Sequence, residues 1–355
     1  MSGDLAENLR PVSPPRILDN VYTADQHARM LNLIRREGPW KLALAQHFSS
    51  PEEVLATLSG SLTEGVTPTF EMFLTPNFRS YFAKNGAALY PEIEDIFYNS
   101  SFLAHVRSYW NAAYARPDSM LFTIQGPVES IDPAHVDDVA FRGLNMANTP
   151  IWLLNTMSKS GLFRPWLLKK AQVITWFYKG AIGGGFTYWP DGPRGAPKRI
   201  AAPMWNRGVV VQNEMMYHRA ESNGPVEMRW PKGLALHSLF EADPEVGDGW
   251  RITTDGAVIQ RVPSDEVRLL VHWSADLYAD LKELTLVMDH KDDLTLERVF
   301  DIFAQDLKAR GVCFTVPADP LHDDDLARIF GKIYDVGTPT TYPPEAPGPK
   351  QAMAA

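Results

Sequence analysis

Between residues 117 and 273 the chain is cut by glycine and proline into short apolar runs, and this segmentation limits the folds open to it. The runs include residues 120–125 (MLFTIQ), 173–178 (VITWFY), 186–189 (FTYW), 208–212 (GVVVQ) and 267–273 (VRLLVHW). All are rich in β-branched and aromatic residues, which suit a pleated, half-buried backbone. Gly183-Gly184-Gly185 punctuates the series, and Asp255-Gly256 marks a hairpin turn inside residues 250–262. Short strands closed by turns at this frequency predict a mainly β protein with flanking helices. Its core is expected to be a double-stranded β-helix, a jelly roll of cupin-like form.

Helical spacing is confined to the two ends and one insertion. Thr23-Ala24-Asp25-Gln26 reads as an N-cap ahead of Met30, Leu31 and Ile34, with Gly38 as the stop. Residues 91–115 carry Ile93, Ile96, Phe97, Leu103, Val106 and Trp110 on one helical face. Residues 150–170, 295–309 and 323–334 are also expected to be helical, whereas residues 40–86 show no regular period. The predicted organisation is a mobile arm (1–16), a jelly-roll domain with N-terminal helices (17–280), a helical extension (281–337) and a loose, proline-rich tail (338–355).

Charge narrows the partners. The formal net charge of −9 opposes binding to phosphate backbones and anionic lipid surfaces, so neither nucleic acid nor membrane is expected. Cys313 is the single cysteine and cannot form an internal disulfide. Residues 1–15 lack a secretory pattern, and residues 150–180 are broken by Lys159, Arg164, Lys169 and Lys170. The expectation is a cytoplasmic protein with a small-molecule partner; oligomeric state has no signature in the sequence.

The chemistry is concentrated in Pro133-Ala134-His135-Val136-Asp137-Asp138. On a strand, residues two apart face the same way, so His135 and Asp137 can converge on one point. The alternation favours Asp137 over Asp138. A third ligand is available from His218 in Met216-Tyr217-His218-Arg219. Two imidazoles and one carboxylate on one face of an octahedron leave three positions open, the arrangement used for non-haem iron(II) and O₂. His237 and His272 lie in strand-like segments and read as structural histidines.

With these residues in order, the chain resembles the iron(II)/2-oxoglutarate dioxygenases, nearest to the phytanoyl-CoA hydroxylase and prolyl 4-hydroxylase branches. Residues 218–225 (HRAESNGP) resemble the stretch after the superfamily's second histidine, and Gly183-Gly184-Gly185-Phe186-Thr187 is similar to a glycine-rich turn of the prolyl hydroxylase branch. Trp189-Pro190-Asp191-Gly192 and Ala220 depart from the phytanoyl pattern. The resemblance implies Fe(II), 2-oxoglutarate and O₂, with iron on His135, Asp137 and His218. It also implies a basic residue for the far carboxylate of 2-oxoglutarate: Arg229, with Arg268 the runner-up. A buried carboxylate needs a matching charge, and guanidinium offers a two-pronged one.

Thr123 and Trp176 are expected near the cosubstrate, and Gln125, Tyr178, Tyr188 and Trp152 near the substrate. Trp152, Leu153, Leu162, Trp166 and Leu167 form either a helix packed on the barrel or a lid. Asp137 keeps the carboxylate that halogenating relatives lack, which favours hydroxylation or related C–H oxidation. The competing readings are a non-catalytic jelly-roll binding module and a cupin-type metal dioxygenase that uses no 2-oxoglutarate.

Overall fold

The computed structural model describes residues 5–58, 67, 69–131, 133–312 and 315–348; Cys313 and the outermost residues of both ends lie outside it. The strands are β1 (Arg16–Asp19), β2 (Trp40–Lys41), β3 (Asn77–Lys84), β4 (Ala87–Ala88), β5 (Tyr114–Gln125), β6 (Lys169–Tyr178) and β7 (Phe186–Trp189). They continue with β8 (Lys198–Ile200), β9 (Met204–Val211), β10 (Tyr217–Ala220), β11 (Leu239–Ala242), β12 (Trp250–Thr254), β13 (Ala257–Val262) and β14 (Arg268–Tyr278). The α-helices are α1 (Ala24–Glu37), α2 (Pro51–Leu58), α3 (Glu94–Phe97), α4 (Ser100–Trp110), α5 (Ile151–Ser160), α6 (Leu281–Met288), α7 (Leu296–Ala309) and α8 (Asp324–Ile333).

The strands form an antiparallel seven-stranded sheet in the order β1-β9-β6-β14-β5-β3-β4 and a three-stranded sheet in the order β10-β7-β8. From β5 to β10 the chain alternates between them: β5 in the large sheet, His135 bridged to His218 beside the small one, β6 in the large, β7 and β8 in the small, β9 in the large, β10 in the small. It then makes an excursion through β11, β12 and β13 before β14 closes the large sheet. The excursion pairs with β2 to make a separate four-stranded sheet. The hairpin predicted at Asp255-Gly256 joins β12 to β13, with both turn residues at positive φ (52° and 78°).

Alternate residues of β14 go to different cores. Leu269, Val271 and Trp273 pack with Phe97 and Val106 under the N-terminal helices, and Leu270 packs with Trp176, Phe186 and Tyr188 between the two sheets. Thr23 caps α1 through a capping box with Gln26, as its sequence predicts. The helix expected over 91–115 is instead broken: Asn99 accepts hydrogen bonds from the amides of Ser101 and Phe102 and starts α4 afresh. Strand β5 then begins at Tyr114, earlier than the apolar run suggested. Strand β3, in the stretch without regular period, pairs with β5 and widens the large sheet.

The described parts of the segments expected to be loose, residues 5–16 and 338–348, are packed. Leu9 is fully buried beside Trp189 and Tyr217, Val12 N–H donates to Gln212 Oε1 (2.9 Å), and the Tyr109 hydroxyl donates to the Ser13 carbonyl (2.5 Å). At the other end, Tyr342 meets the Trp189 ring edge-on and Arg219 donates to the Pro347 carbonyl (2.7 Å), so residues 338–348 cover the outer face of the small sheet. The C-terminal helices share one core with α5: Leu153, Leu154 and Met157 meet Phe300, Phe303, Leu307 and Phe330. That core also holds Val139 and Phe141, just downstream of Asp137. Arg142 is buried and clamps Asp292 with two hydrogen bonds (2.7 and 2.9 Å). Gly143 is required there, because a Cβ at its φ of 86° would lie 2.5 Å from the Leu294 carbonyl. The helical extension therefore braces the loop that follows the His-x-Asp motif.

Phe303→Ala opens a cavity in this shared core. It is expected to lower stability by about 3–5 kcal/mol in urea titrations, with divalent-metal affinity weakening alongside because the loop loses its brace.

Candidate metal centre

His135 and His218 are brought together by backbone pairing. They form an isolated antiparallel bridge in which His135 N–H donates to His218 O (3.0 Å) and His218 N–H to His135 O (2.8 Å). A residue pair exchanging both hydrogen bonds holds its side chains on one face of the sheet. The two rings lie 4.7 Å apart, centre to centre. Asp137, two residues on, points the same way, its amide donating to Asn213 O (3.2 Å). Asp137 Oδ1 is 3.3 Å from His218 Nε2, and one ligand atom from each of the three residues lies within 4.8 Å of the others. Asp138 is exposed and outside this cluster.

Each imidazole is oriented through its second nitrogen. His135 Nδ1 lies 3.2 Å from the Pro133 carbonyl and His218 Nδ1 3.0 Å from the Met216 carbonyl. A carbonyl only accepts, so both Nδ1 atoms carry the hydrogen and both Nε2 lone pairs are directed at the shared point. Burial opposes a charge on Asp137, but the nearby imidazoles, His218 above all, outweigh it and hold the carboxyl well below its usual range. Burial likewise opposes protonation of His218, and the Asp137 carboxylate outweighs that and raises it. A divalent cation would take over the role of the shared proton. Two neutral imidazoles and a carboxylate suit a first-row metal with three positions left open.

The large sheet forms the wall facing this point. On its inner face Arg268 pairs with Gln125, Leu270 with Thr123 and Trp176, and His272 with Leu121 and Ile174. Opposite, Tyr188 is the register partner of His218, and the Phe186 ring lies 5.5 Å from the His218 ring. Thr123, Trp176, Gln125, Tyr178 and Tyr188 are all buried on these inner faces. The Gln125 amide donates to Asn223 Oδ1 (2.9 Å), and the Tyr178 hydroxyl donates to Glu266 (3.0 Å). Trp152 does not join them. Its indole donates to the Leu321 carbonyl (3.3 Å) and its ring meets Phe330, so the segment weighed as a lid is packed against the C-terminal helices.

The two candidate arginines differ sharply. Arg229 is committed to the protein: Nη1 binds Glu129 (2.6 Å), while Nε and Nη2 both donate to the Gly224 carbonyl (3.1 and 2.9 Å). Arg268 is 2% exposed, donates through Nε to the Gly184 carbonyl (3.1 Å), and leaves Nη2 buried with no partner among the described residues. Burial pushes its guanidinium down to about 10, with Glu221 pulling the other way. The Gly184 carbonyl is held by the glycine turn, where a Cβ on Gly183 would fall 1.9 Å from the Ser222 carbonyl.

Three groups near the centre carry buried polar atoms without a partner among the described residues: Trp176 (Nε1), which the sequence reading expected near the cosubstrate, and His272 (Nε2) and Glu214 (Oε2), which it did not assign to the site. Burial pushes His272 down to about 4 against the pull of Asp137. Burial and the Asp137 charge push Glu214 up to about 7, even though the Gln172 amide hydrogen-bonds its other oxygen. For His272, the alternation of β14 was the clue: it shares a face with Arg268.

No family model matches the chain, and no curated protein does. Among solved structures, it is similar to an oxidoreductase of the 2OG-Fe(II) oxygenase family from Burkholderia pseudomallei. The identity is 12% and the TM-score 0.38, covering 78% of this chain and 93% of that one. It is also similar to HygX from Streptomyces hygroscopicus, solved with nickel, 2-oxoglutarate and hygromycin B. Here the identity is 9% and the TM-score 0.35, covering 75% and 84%. A third, EvdMO1, matches at 12% and a TM-score of 0.31, covering 77% of this chain and 49% of that one. Likeness at these scores carries no argument about the reaction, which rests on the site itself. Among the described residues no helix is long and apolar enough to cross a membrane.

Two outcomes follow from the electrostatics. Protons and metal compete for His218, so below its raised pKa the apparent metal affinity should fall about tenfold per pH unit in calorimetric titrations. In the metal-free protein, Glu214 binds its proton more tightly folded than unfolded. Its contribution is present below its ordinary carboxylate range and is lost as pH rises through about 7. Glu214→Gln should therefore raise the thermal midpoint at pH 8 and make little difference at pH 4.

Proposed function

We propose that this protein is an Fe(II)- and 2-oxoglutarate-dependent oxygenase that hydroxylates, or otherwise oxidises at C–H, a small and partly apolar organic molecule. The observation that carries the reading is the pairing of two features on facing inner walls. The His135–Asp137–His218 cluster lies along the small sheet, and the buried guanidinium of Arg268, with Nη2 unpartnered among the described residues, lies on the large sheet opposite. The chain's alternation between the two sheets supports a double-stranded β-helix, with β9-β6-β14-β5 facing residues 128–137, β10, β7 and β8.

Ferrous iron with 2-oxoglutarate and O₂ supplies oxidative decarboxylation of the keto acid to succinate and CO₂, coupled to two-electron oxidation of a C–H bond. The chain's own residues do the rest. His135 and His218 present their Nε2 atoms, fixed by carbonyls at Nδ1, and Asp137 contributes the one negative charge of the ligand set. Arg268, rather than Arg229, binds the far carboxylate of 2-oxoglutarate. A buried guanidinium without a counter-charge is costly, and a carboxylate ligand offsets that cost. Trp176 offers its unpartnered indole N–H, and Thr123 its hydroxyl, on the same wall. Phe186, Tyr188 and Trp176 keep water from the reacting region. Asp137 occupies the position through which halide would otherwise enter, which favours oxygen insertion.

Anaerobic titration with Fe(II) and 2-oxoglutarate should produce a visible metal-to-ligand charge-transfer band, absent in His135→Ala. Arg268→Ala should weaken 2-oxoglutarate binding roughly a hundredfold, the cost of truncating one partner of a buried charge pair, while Arg229→Ala changes it by less than about threefold on that scale. A band unaffected by Arg268→Ala, or succinate-free turnover, would favour a metal dioxygenase that acts without 2-oxoglutarate.

A further inference from the structure

The inner wall carries a second guanidinium that the proposed reaction does not use. Arg79, on β3, is the register partner of Thr123, whose other neighbour in the row is Leu270. It therefore stands beside the wall that holds Arg268 and His272, two strands out from β14. Among the described residues its side chain makes no ion pair and no hydrogen bond, and its Nε is buried without a partner. Its charge reaches both Asp138 and His272. His272 adds an equally unpartnered Nε2 next to Asp137. His135 and Asp138, on the same side, are exposed, so this part of the site is reached from solvent.

Two guanidinium groups with unpartnered buried nitrogens stand on one inner face of the large sheet, and 2-oxoglutarate has only one far carboxylate to give. Arg268 is enclosed, on a central strand, behind the glycine turn. Arg79 is half-buried and lies toward the solvent side, where a substrate would enter. We infer that the substrate is a small molecule bearing an oxyanion, and that Arg79, assisted by His272, is the residue pair that receives it beside the metal. The inference rests on the oxygenase reading. The oxyanion is a carboxylate, sulfonate or phosphate; all three present the paired acceptor oxygens that a guanidinium fork binds. An anion held there would lie close to the open metal positions, and its apolar remainder would run against Tyr188, Phe186 and Leu270.

The test has two arms. In the metal-free protein, Arg79→Met keeps the volume and removes the charge. A ligand-binding guanidinium left without its ligand is a burden, so the thermal midpoint should hold or rise. A midpoint several degrees lower would assign Arg79 to holding the fold and overturn the proposal. In the Fe(II)- and 2-oxoglutarate-loaded enzyme, succinate release is screened against matched pairs of carboxylic, sulfonic or phosphoric acids and their neutral amides or esters. Stimulation by acids alone is expected, with Arg79→Gln raising the KM of the active acid roughly tenfold to a hundredfold. Stimulation by the neutral partners to the same extent, or an unchanged KM in Arg79→Gln, overturns it. If Arg79→Gln weakens 2-oxoglutarate instead, seen in the charge-transfer titration, Arg79 serves the cosubstrate and the proposal falls. Absence of that band in the wild type would count against the oxygenase reading itself.

Discussion

The reciprocal pair of hydrogen bonds between His135 and His218 is the constraint on which the rest of the site depends. The two residues are far apart in sequence, and nothing local would hold their rings 4.7 Å from each other. The backbone pairing does so and also fixes the faces. A shift of one residue in register would turn His135 and Asp137 to the outside of the small sheet and scatter the ligand set. Neighbouring pairs secure the register. Val128 bridges Asn223 on one side, and Tyr217–Ala220 pair with β7 on the other.

The register is in turn held by parts of the chain that look peripheral. The outer face of the small sheet carries Trp189 and Tyr217, which need cover, and they receive it from Leu9 and residues 338–348. The loop after Asp137 buries Val139 and Phe141 among α5, α7 and α8, and Arg142 locks it to Asp292. The arginine–aspartate pair is bidentate and partly buried, the geometry in which an ion pair contributes to rigidity as well as charge balance. Helices remote from the His135–Asp137–His218 cluster thus pack against the loop that follows Asp137.

What the sequence revealed follows from how local each signal is. The His-x-Asp spacing, the Thr23 cap and the Asp255-Gly256 hairpin each depend on a few adjacent residues, and the structure has all of them. Arg229 against Arg268 could not be resolved this way. Both lie downstream of His218, and the difference is made by Glu129 and the Gly224 carbonyl, which the fold brings to Arg229, and by the sheet that encloses Arg268. Arg79 was invisible because β3 has no clear alternation; its strand is defined by pairing with β5. Trp152 misled for a related reason. An aromatic between two site motifs fits a lid as well as a packing helix, and only the distant Leu321 and Phe330 decide between them. The prolines of the tail and arm signal a chain without helix or sheet, and such a chain can still be packed by side chains.

The site also stands out for what it leaves unsatisfied. Buried polar atoms are nearly always hydrogen-bonded, and each exception costs on the order of 1–3 kcal/mol. Among the described residues, Arg268 Nη2, Trp176 Nε1, His272 Nε2 and Arg79 Nε lie on the inner face of the large sheet and Glu214 Oε2 lies near Asp137; six further buried atoms, Tyr22 Oη, Arg207 Nε and Gln260 Oε1 among them, are also unpartnered. For the atoms on that wall, the cost has a return where a ligand meets them. The return is pre-organisation: donors already desolvated and aimed need no rearrangement when a ligand with matching acceptors arrives. Four of those first five atoms are nitrogens, and two of them belong to guanidinium groups, while burial disfavours the charged form of His272. On the proposed reading, this wall meets anions despite an overall charge of −9. The acidic exterior and the cationic interior act at different ranges. The exterior is screened within about 8–10 Å at physiological salt, whereas the interior acts only on a molecule that has already entered and shed its water.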